Sequence, residues 1–251
     1  MKRGANALPL VLILGAFVLS CVDIPTGNED VLSFSVDRLA SPSIVVGDSL
    51  RDTLGIAVPL SVTAFNYNGD TVESVPVRFR ALDRRVRVDS VSGFIVGDTV
   101  SATFSRVSAT LDNFNGFFTI PVVLRPDTII GANERDSLSY SLTDTAANVA
   151  NAIGVKVVHG PVTGDSAVSS YRVTFDIVSP SDVDLARFAE NNARSGVDTT
   201  DATGVANRRI RISPARLTTA VDSVIVQATV KYRGQNVRGS PVRLVLKLKP
   251  K

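Results

Sequence analysis

From Val31 onward, short runs of alternating apolar and polar side chains recur along the chain. Leu60, Val62 and Ala64 fall on one side of such a run, with Ser61, Thr63 and Phe65 on the other. Val75, Val77, Phe79 and Ala81 alternate with Pro76, Arg78 and Arg80, and Ile120, Val122 and Leu124 alternate with Thr119, Pro121 and Val123. Successive side chains of a strand point to opposite faces, so a period of two predicts strands with one buried and one wet face. Long stretches with helical periodicity are missing. Val and Thr, which suit the pleated surface, are abundant, as are Ser and Asp, which suit turns. The predicted fold class is all-β.

The pattern also repeats. Residues 60–81 read LSVTAFNYNGDTVESVPVRFRA and residues 155–177 read VKVVHGPVTGDSAVSSYRVTFDI. Each has an apolar strand, a Gly-Asp turn (Gly69-Asp70, Gly164-Asp165) and a strand centred on Phe79 or Phe175. Asp112-Asn113-Phe114-Asn115-Gly116 is set against Asp201-Ala202-Thr203-Gly204, and Asp136-Ser137-Leu138 against Asp222-Ser223-Val224. The offset of about 90 positions is the size of an immunoglobulin-like sandwich. Two tandem copies are predicted, residues 31–142 and 143–251, with a further hairpin at 228–246 closing the second.

Two motifs carry a family resemblance. Thr199-Thr200-Asp201-Ala202-Thr203-Gly204-Val205-Ala206 is similar to the T-D-x-x-G-x-A turn of bacterial immunoglobulin-like domains of the invasin and intimin kind. Gly234-Gln235-Asn236-Val237-Arg238-Gly239-Ser240-Pro241-Val242 resembles their G-x-x-V-x-G-x-P-V segment, with a looser form at 69–77. The resemblance implies two tandem immunoglobulin-like β-sandwiches. The first copy departs from it, with Asn113-Phe114-Asn115-Gly116 where the family has a Thr-Asp turn. Such modules serve adhesins, surface enzymes and spacers alike, so fold is implied and function is not.

The N-terminus has a different character. Lys2 and Arg3 precede an apolar run over 7–19, broken by Pro9 and Gly15, and Ser20 precedes Cys21, the one cysteine of the chain. That core is the length of a secretory signal rather than of a membrane-spanning helix. The layout resembles the bacterial lipoprotein lipobox. The resemblance implies cleavage before Cys21, diacylglycerol on its thiol and a third acyl chain on its amine. Residues 1–20 are then the signal peptide, and 21–30 the lipidated cysteine with a polar tether. Val22 stands where Asp retains lipoproteins in the inner membrane of enteric bacteria, so the expected location is the outer membrane, facing periplasm or surface. An ordinary secretory leader and an uncleaved signal anchor are the competing readings. With Cys21 the one cysteine, no disulfide within one subunit is possible, and each domain rests on its core alone.

Chemistry is sparse. His159, the only histidine, lies in a Val-His-Gly-Pro turn; no Gly-x-Ser-x-Gly elbow, zinc spacing or phosphate-binding glycine loop occurs. Asp182, Asp184, Asp198 and Asp201 sit in or beside loops, where calcium ligation and turn capping both account for them. The calcium-loop ladder of alternating acidic residues is missing. No catalytic residue, metal or cofactor is predicted, and the chain is expected not to be an enzyme.

Charge is the remaining lead. Residues 205–251 carry eleven Lys and Arg against Asp222 alone, a local charge of +10. The whole chain is +3 and Lys2 and Arg3 contribute +2, which leaves −9 for residues 22–204. In the final run, Val242, Leu244, Leu246 and Leu248 share one face and Arg243, Lys247 and Lys249 the other; Arg209 and Arg211 likewise oppose Ile210 and Ile212. If these strands are neighbours, their outer faces form a cationic surface for an anionic envelope component, such as phospholipid headgroups, lipopolysaccharide or acidic polysaccharide. A protein partner fits as well, whereas nucleic acid does not suit an anchored, exported protein. The competing reading is that these cations guard exposed strands against aggregation. The expected function is a non-catalytic, lipid-anchored envelope protein acting as a binding or adhesion-type module. The alternative is a structural spacer or accessory subunit of a periplasmic or outer-membrane complex.

Overall fold

The computed structural model describes residues 30–143, 148–160, 166–217 and 221–251. The leader, Cys21, nearly all of the tether and the Gly164-Asp165 turn lie outside the described residues.

The described chain is built from strands, with one 3-10 turn at Pro214–Arg216. The first module runs through β1 (Ser33–Val36), β2 (Ile44–Val45), β3 (Val62–Phe65), β4 (Thr71–Val72), β5 (Arg78–Ala81), β6 (Val86–Val88), β7 (Ile95–Gly97), β8 (Ser105–Leu111), β9 (Phe114–Ile120) and β10 (Val122–Val123). The second begins with β11 (Thr128–Asn133), β12 (Arg135–Tyr140), β13 (Ile153–His159), β14 (Ser166–Ala167), β15 (Arg172–Ser179), β16 (Ala186–Phe188) and β17 (Ser195–Thr199). It ends with β18 (Val205–Arg208), β19 (Ile210–Ile212), β20 (Ser223–Thr229), β21 (Lys231–Tyr232), β22 (Gln235–Asn236) and β23 (Val242–Pro250).

The second module is a β-sandwich. One layer holds β12-β23-β20-β15-β17 in that order; the other holds β11-β13-β14 with β18 on β13, continued by the β16-β19 pair. Inward residues of both layers meet in one buried cluster: Val173, Phe175, Leu244 and Leu246 from the first, Ile153, Val155, Phe188 and Ile210 from the second. Phe175 and Phe188 are fully buried and meet edge to face at 6.5 Å, the arrangement that sets the positive edge of one ring on the negative face of the other. The first module repeats the scheme on shorter strands. There β5-β8-β9 packs Phe79, Val107 and Phe118 against Val86, Ile95 and Leu60.

The domain boundary differs from the expected 142/143. β11 pairs antiparallel with β13, and β12 pairs parallel with β23, so residues 128–140 belong to the second module and the linker is 124–127. The opening strand of each module divides between the two layers. In the first, β1 pairs antiparallel with β3 and β2 parallel with β10. Parallel pairing with the last strand of a module leaves no local mark in the sequence, and so the divided strand escaped the repeat.

The repeat itself holds only in part. β3, β4 and β5 correspond to β13, β14 and β15 in order and pairing. The Asp112–Gly116 segment, however, makes the turn of the β8-β9 hairpin, whereas Asp201–Gly204 leads into β18 in the other layer. Asp136 likewise lies on β12 at a sheet edge, while Ser223 and Val224 lie on β20 inside it. The two modules share a plan, but these segments are not counterparts, which explains why Asn113 stands where the repeat predicts a Thr-Asp turn. β20 and β23 sit side by side within the five-stranded layer, so the C-terminal hairpin is part of the second sandwich.

Candidate functional site at the junction of the modules

Asp48 is the centre of the most heavily bonded polar cluster. It follows Gly47, whose φ of +74° turns the chain after β2. Its backbone is pinned on both sides, donating from its N–H to the Val45 carbonyl and accepting from the Gly97 N–H. Its side chain is 4% exposed. The carboxylate accepts the Ser49 N–H at 2.8 Å, the Arg51 guanidinium at 2.7 and 2.9 Å, and Nε of Arg233 at 3.0 Å. Arg233 lies 185 positions away, in the other module. Burial pushes the Asp48 carboxyl up, but Arg51, Arg233, the Ser49 N–H and Tyr232 together hold it well below the usual carboxylate range. Burial also raises the Tyr232 hydroxyl, with its hydrogen bond to Asp48 adding to the effect.

Two turns meet over this cluster. Asp52 accepts the N–H groups of Leu54 and Ile56 at 2.9 Å each, folding residues 52–56 into a tight loop. Opposite it, Arg233 and Gly234 form the β21-β22 turn, both with positive φ, as a two-residue hairpin of this kind requires. Gly55 rests on Gly234 so closely that a Cβ on Gly55 would lie 2.1 Å from the Gly234 nitrogen. Arg172 also donates to the Ala40 carbonyl, and the Tyr171 hydroxyl donates to the Lys231 carbonyl at 2.8 Å. Between the loop and the outer face of β15, β17 and β20 lies a cavity of about 330 Å³, whose lining includes Ser43, Tyr171, Thr174 and Asp176.

The apolar core also crosses the junction. Val45 and Val123 are buried within the second module's cluster. The alternation over 119–124 predicted Pro121 and Val123 on a wet face, yet both are buried. The strand meets a neighbouring module on the side that would otherwise face water.

The five sequence-predicted cations do not form one surface. Arg209 and Arg211 flank or lie on β19, which pairs with β16, whereas Arg243, Lys247 and Lys249 lie on β23. Those strands belong to opposite layers with a common core, so their outer faces point away from each other. Arg209 is engaged by Glu190 at 3.2 Å, and Arg211 lies across from Arg187. The alternation along β23 is as expected: Val242, Leu244, Leu246 and Leu248 are buried and Arg243, Lys247 and Lys249 exposed. Lys247 lies 4.0 Å from Asp222.

The remaining sequence candidates have structural partners. His159 Nδ1 is 2.7 Å from Asp127 and 3.0 Å from the Arg125 carbonyl, which clasps the linker to β13. Asp182 accepts the Asp184 N–H; Asp184 pairs with Arg187 at 2.7 Å. Asp198 accepts from Thr199 and Asn207, and Asp201 from Thr203 and Val205. Among the described residues no three His, Cys, Asp or Glu side chains are grouped to hold a metal. The junction was missed because its halves are far apart in sequence. Asp48 in Val-Gly-Asp-Ser reads as an ordinary turn, and the glycine of the hairpin motif at 234 gives no hint of what rests on it.

No family model matches the chain, and no curated protein matches it. Among solved structures it is similar to the adhesin InvE of Yersinia pseudotuberculosis, at 16% identity and a TM-score of 0.34 over 85% of this chain; it spans 58% of that one. It is also similar to domains 4 and 5 of the S-layer protein SbsC, at 11% identity and 0.32, covering 88% of this chain and 99% of that. Human protocadherin-24 EC1-2 matches at 13% and 0.26, over 88% and 100%. Likenesses this distant leave the all-β sandwich architecture to rest on the chain's own strand pairing and core.

Proposed function

We propose that this chain is a non-catalytic cell-envelope protein, anchored by lipid on Cys21 at the outer membrane, whose fused sandwiches present a binding surface of the adhesion type. The observation that carries this reading is the junction. Asp48 is shared between Arg51 and Arg233, glycine rests on glycine, and Val45 and Val123 enter the neighbouring core. Modules joined by a bare linker reorient freely, whereas a buried charge cluster and a shared core fix one orientation. A fixed orientation suits presentation of a surface. It equally suits a spacer within a periplasmic or outer-membrane complex, which is the second reading.

Cys21→Ser should move the protein from the membrane to the soluble exported fraction, since stable anchoring takes more than one acyl chain and this change removes all of them. Persistence in salt-washed membranes would remove the anchor from the proposal. Protease shaving of intact cells separates the two readings: loss of the chain indicates an outward-facing binding module, and survival a periplasmic subunit.

A further inference from the structure

The acidic part of the chain contains a face with no acid on it. In the first module β5, β8 and β9 form a three-stranded layer whose inward residues, Phe79, Val107 and Phe118 among them, are core. Its outward positions read differently. Arg80 lies across from Ser108, and Ser108 across from Phe117; in the adjoining row Arg78 lies across from Thr110. Arg106 stands one row beyond, toward the second module. No Asp or Glu occupies an outward position on any of the three strands, and the positions not named are Asn or Thr. Rows on one face of a strand are about 7 Å apart, so Arg78 and Arg80 follow each other along β5 and Arg106, on β8, extends the series by one further row.

These cations are available. All three arginines are exposed, and no carboxylate lies within ion-pair distance of them among the described residues. The flanking Asp83 is occupied: it accepts the backbone N–H groups of Arg85 and Arg106. Phe117 is 46% exposed, and the Arg106 guanidinium lies 4.7 Å from its ring centre. A cation held over an aromatic face gives up less side-chain freedom when it binds. Segment 22–204 nets −9, so three cations without a counter-charge on one flat face are not its average surface.

We infer that the outer face of β5, β8 and β9 binds a linear, carboxylate-bearing polysaccharide. Guanidinium groups pair with carboxylates through two parallel hydrogen bonds, and the hydroxyls of Ser108 and Thr110 between them match the hydroxyls of sugar rings. Its outward positions carry arginines, hydroxyls and a single phenyl ring, with no row of apolar side chains to receive those of a peptide. This deepens the proposed binding role by naming its surface and ligand chemistry, and does not depend on the lipid anchor.

The test measures binding of the purified full-length chain to alginate by titration at 50 and 150 mM NaCl. Poly-L-glutamate serves as the acidic polypeptide. Expected results are saturable binding of alginate that weakens as salt rises, as exposed charge contacts do. Arg78→Gln/Arg80→Gln/Arg106→Gln should weaken it at least tenfold at 50 mM NaCl, and Phe117→Ala a few-fold. Circular dichroism and the thermal midpoint should stay near wild type, since exposed substitutions move stability little. The comparison variant is Arg243→Gln/Lys247→Gln/Lys249→Gln. Loss of binding in that variant and not in the first would overturn this inference while leaving a binding role in place. Equal affinity for poly-L-glutamate would overturn the polysaccharide assignment, and no binding of alginate at 50 mM NaCl would overturn the inference outright.

Discussion

Asp48→Ala should destabilise the protein by about 3 kcal/mol, the low end of the cost of breaking a buried ion pair. The change strips the partner from Arg51, the Ser49 N–H and Arg233 together. Arg233 is half exposed and returns to water, which keeps the loss from being larger. Arg233→Gln should accordingly cost clearly less than Asp48→Ala, because an exposed ion-pair partner contributes little. The pH dependence has a definite sign. The folded carboxyl is depressed below its ordinary 3.8, so its stabilisation is complete above about pH 4 and declines as pH falls toward the depressed value. The gap between wild type and Asp48→Ala in urea unfolding should be constant from pH 5 to 8 and narrow below pH 4. A gap that widens in acid, or one below 1 kcal/mol at pH 7, would remove Asp48 from the centre of the junction.

Gly55→Ala should undock the two modules. Its added Cβ would lie 2.1 Å from the Gly234 nitrogen and 2.4 Å from the Arg233 carbonyl carbon, both backbone atoms that cannot swing aside. The φ of +85° adds strain for any L side chain. Together these should cost about 2–4 kcal/mol. Gly69→Ala is the control: its φ is +83°, but nothing lies within 4 Å of the new Cβ. That variant should pay only the backbone strain, about 1 kcal/mol. Amide exchange at 231–236 should accelerate in the first variant and remain unchanged in the second. Equal behaviour of the two variants would mean that the contact of Gly55 with Gly234 contributes nothing.

What could be read from the sequence was whatever alternation decides locally. Which side of β23 and of β5 is buried follows from period two alone, because the core accepts Leu and Phe and rejects Lys and Arg. The layer to which a strand belongs is not decided locally. β19 and β23 look alike as basic alternating strands, yet pairing with β16 or β20 sends their charged faces in opposite directions. The divided opening strand failed for a related reason. Asp136-Ser137-Leu138 carries an ordinary strand signature, and nothing in it says that its partners are Leu246, Lys247 and Leu248. Pairing over such distances is a property of the assembled core. The junction is the extreme case, since Asp48 and Gly55 become meaningful only when Arg233 and Gly234 arrive.

The parallel pairing that displaced the domain boundary also bears on mechanics. Tension between the start of β12 and the end of β23 pulls the two strands along their length in opposite senses. Their six paired positions, Arg135 with Val245 through Tyr140 with Pro250, are then loaded in shear and must fail together. A hairpin pulled at its open end would instead unzip rung by rung. In the first module the corresponding parallel pair, β2 with β10, has two positions. A chain held at its N-terminus and pulled from its C-terminus should therefore yield first in the N-terminal module, and single-molecule force spectroscopy would record the smaller unfolding force there. The second module would be the load-bearing one.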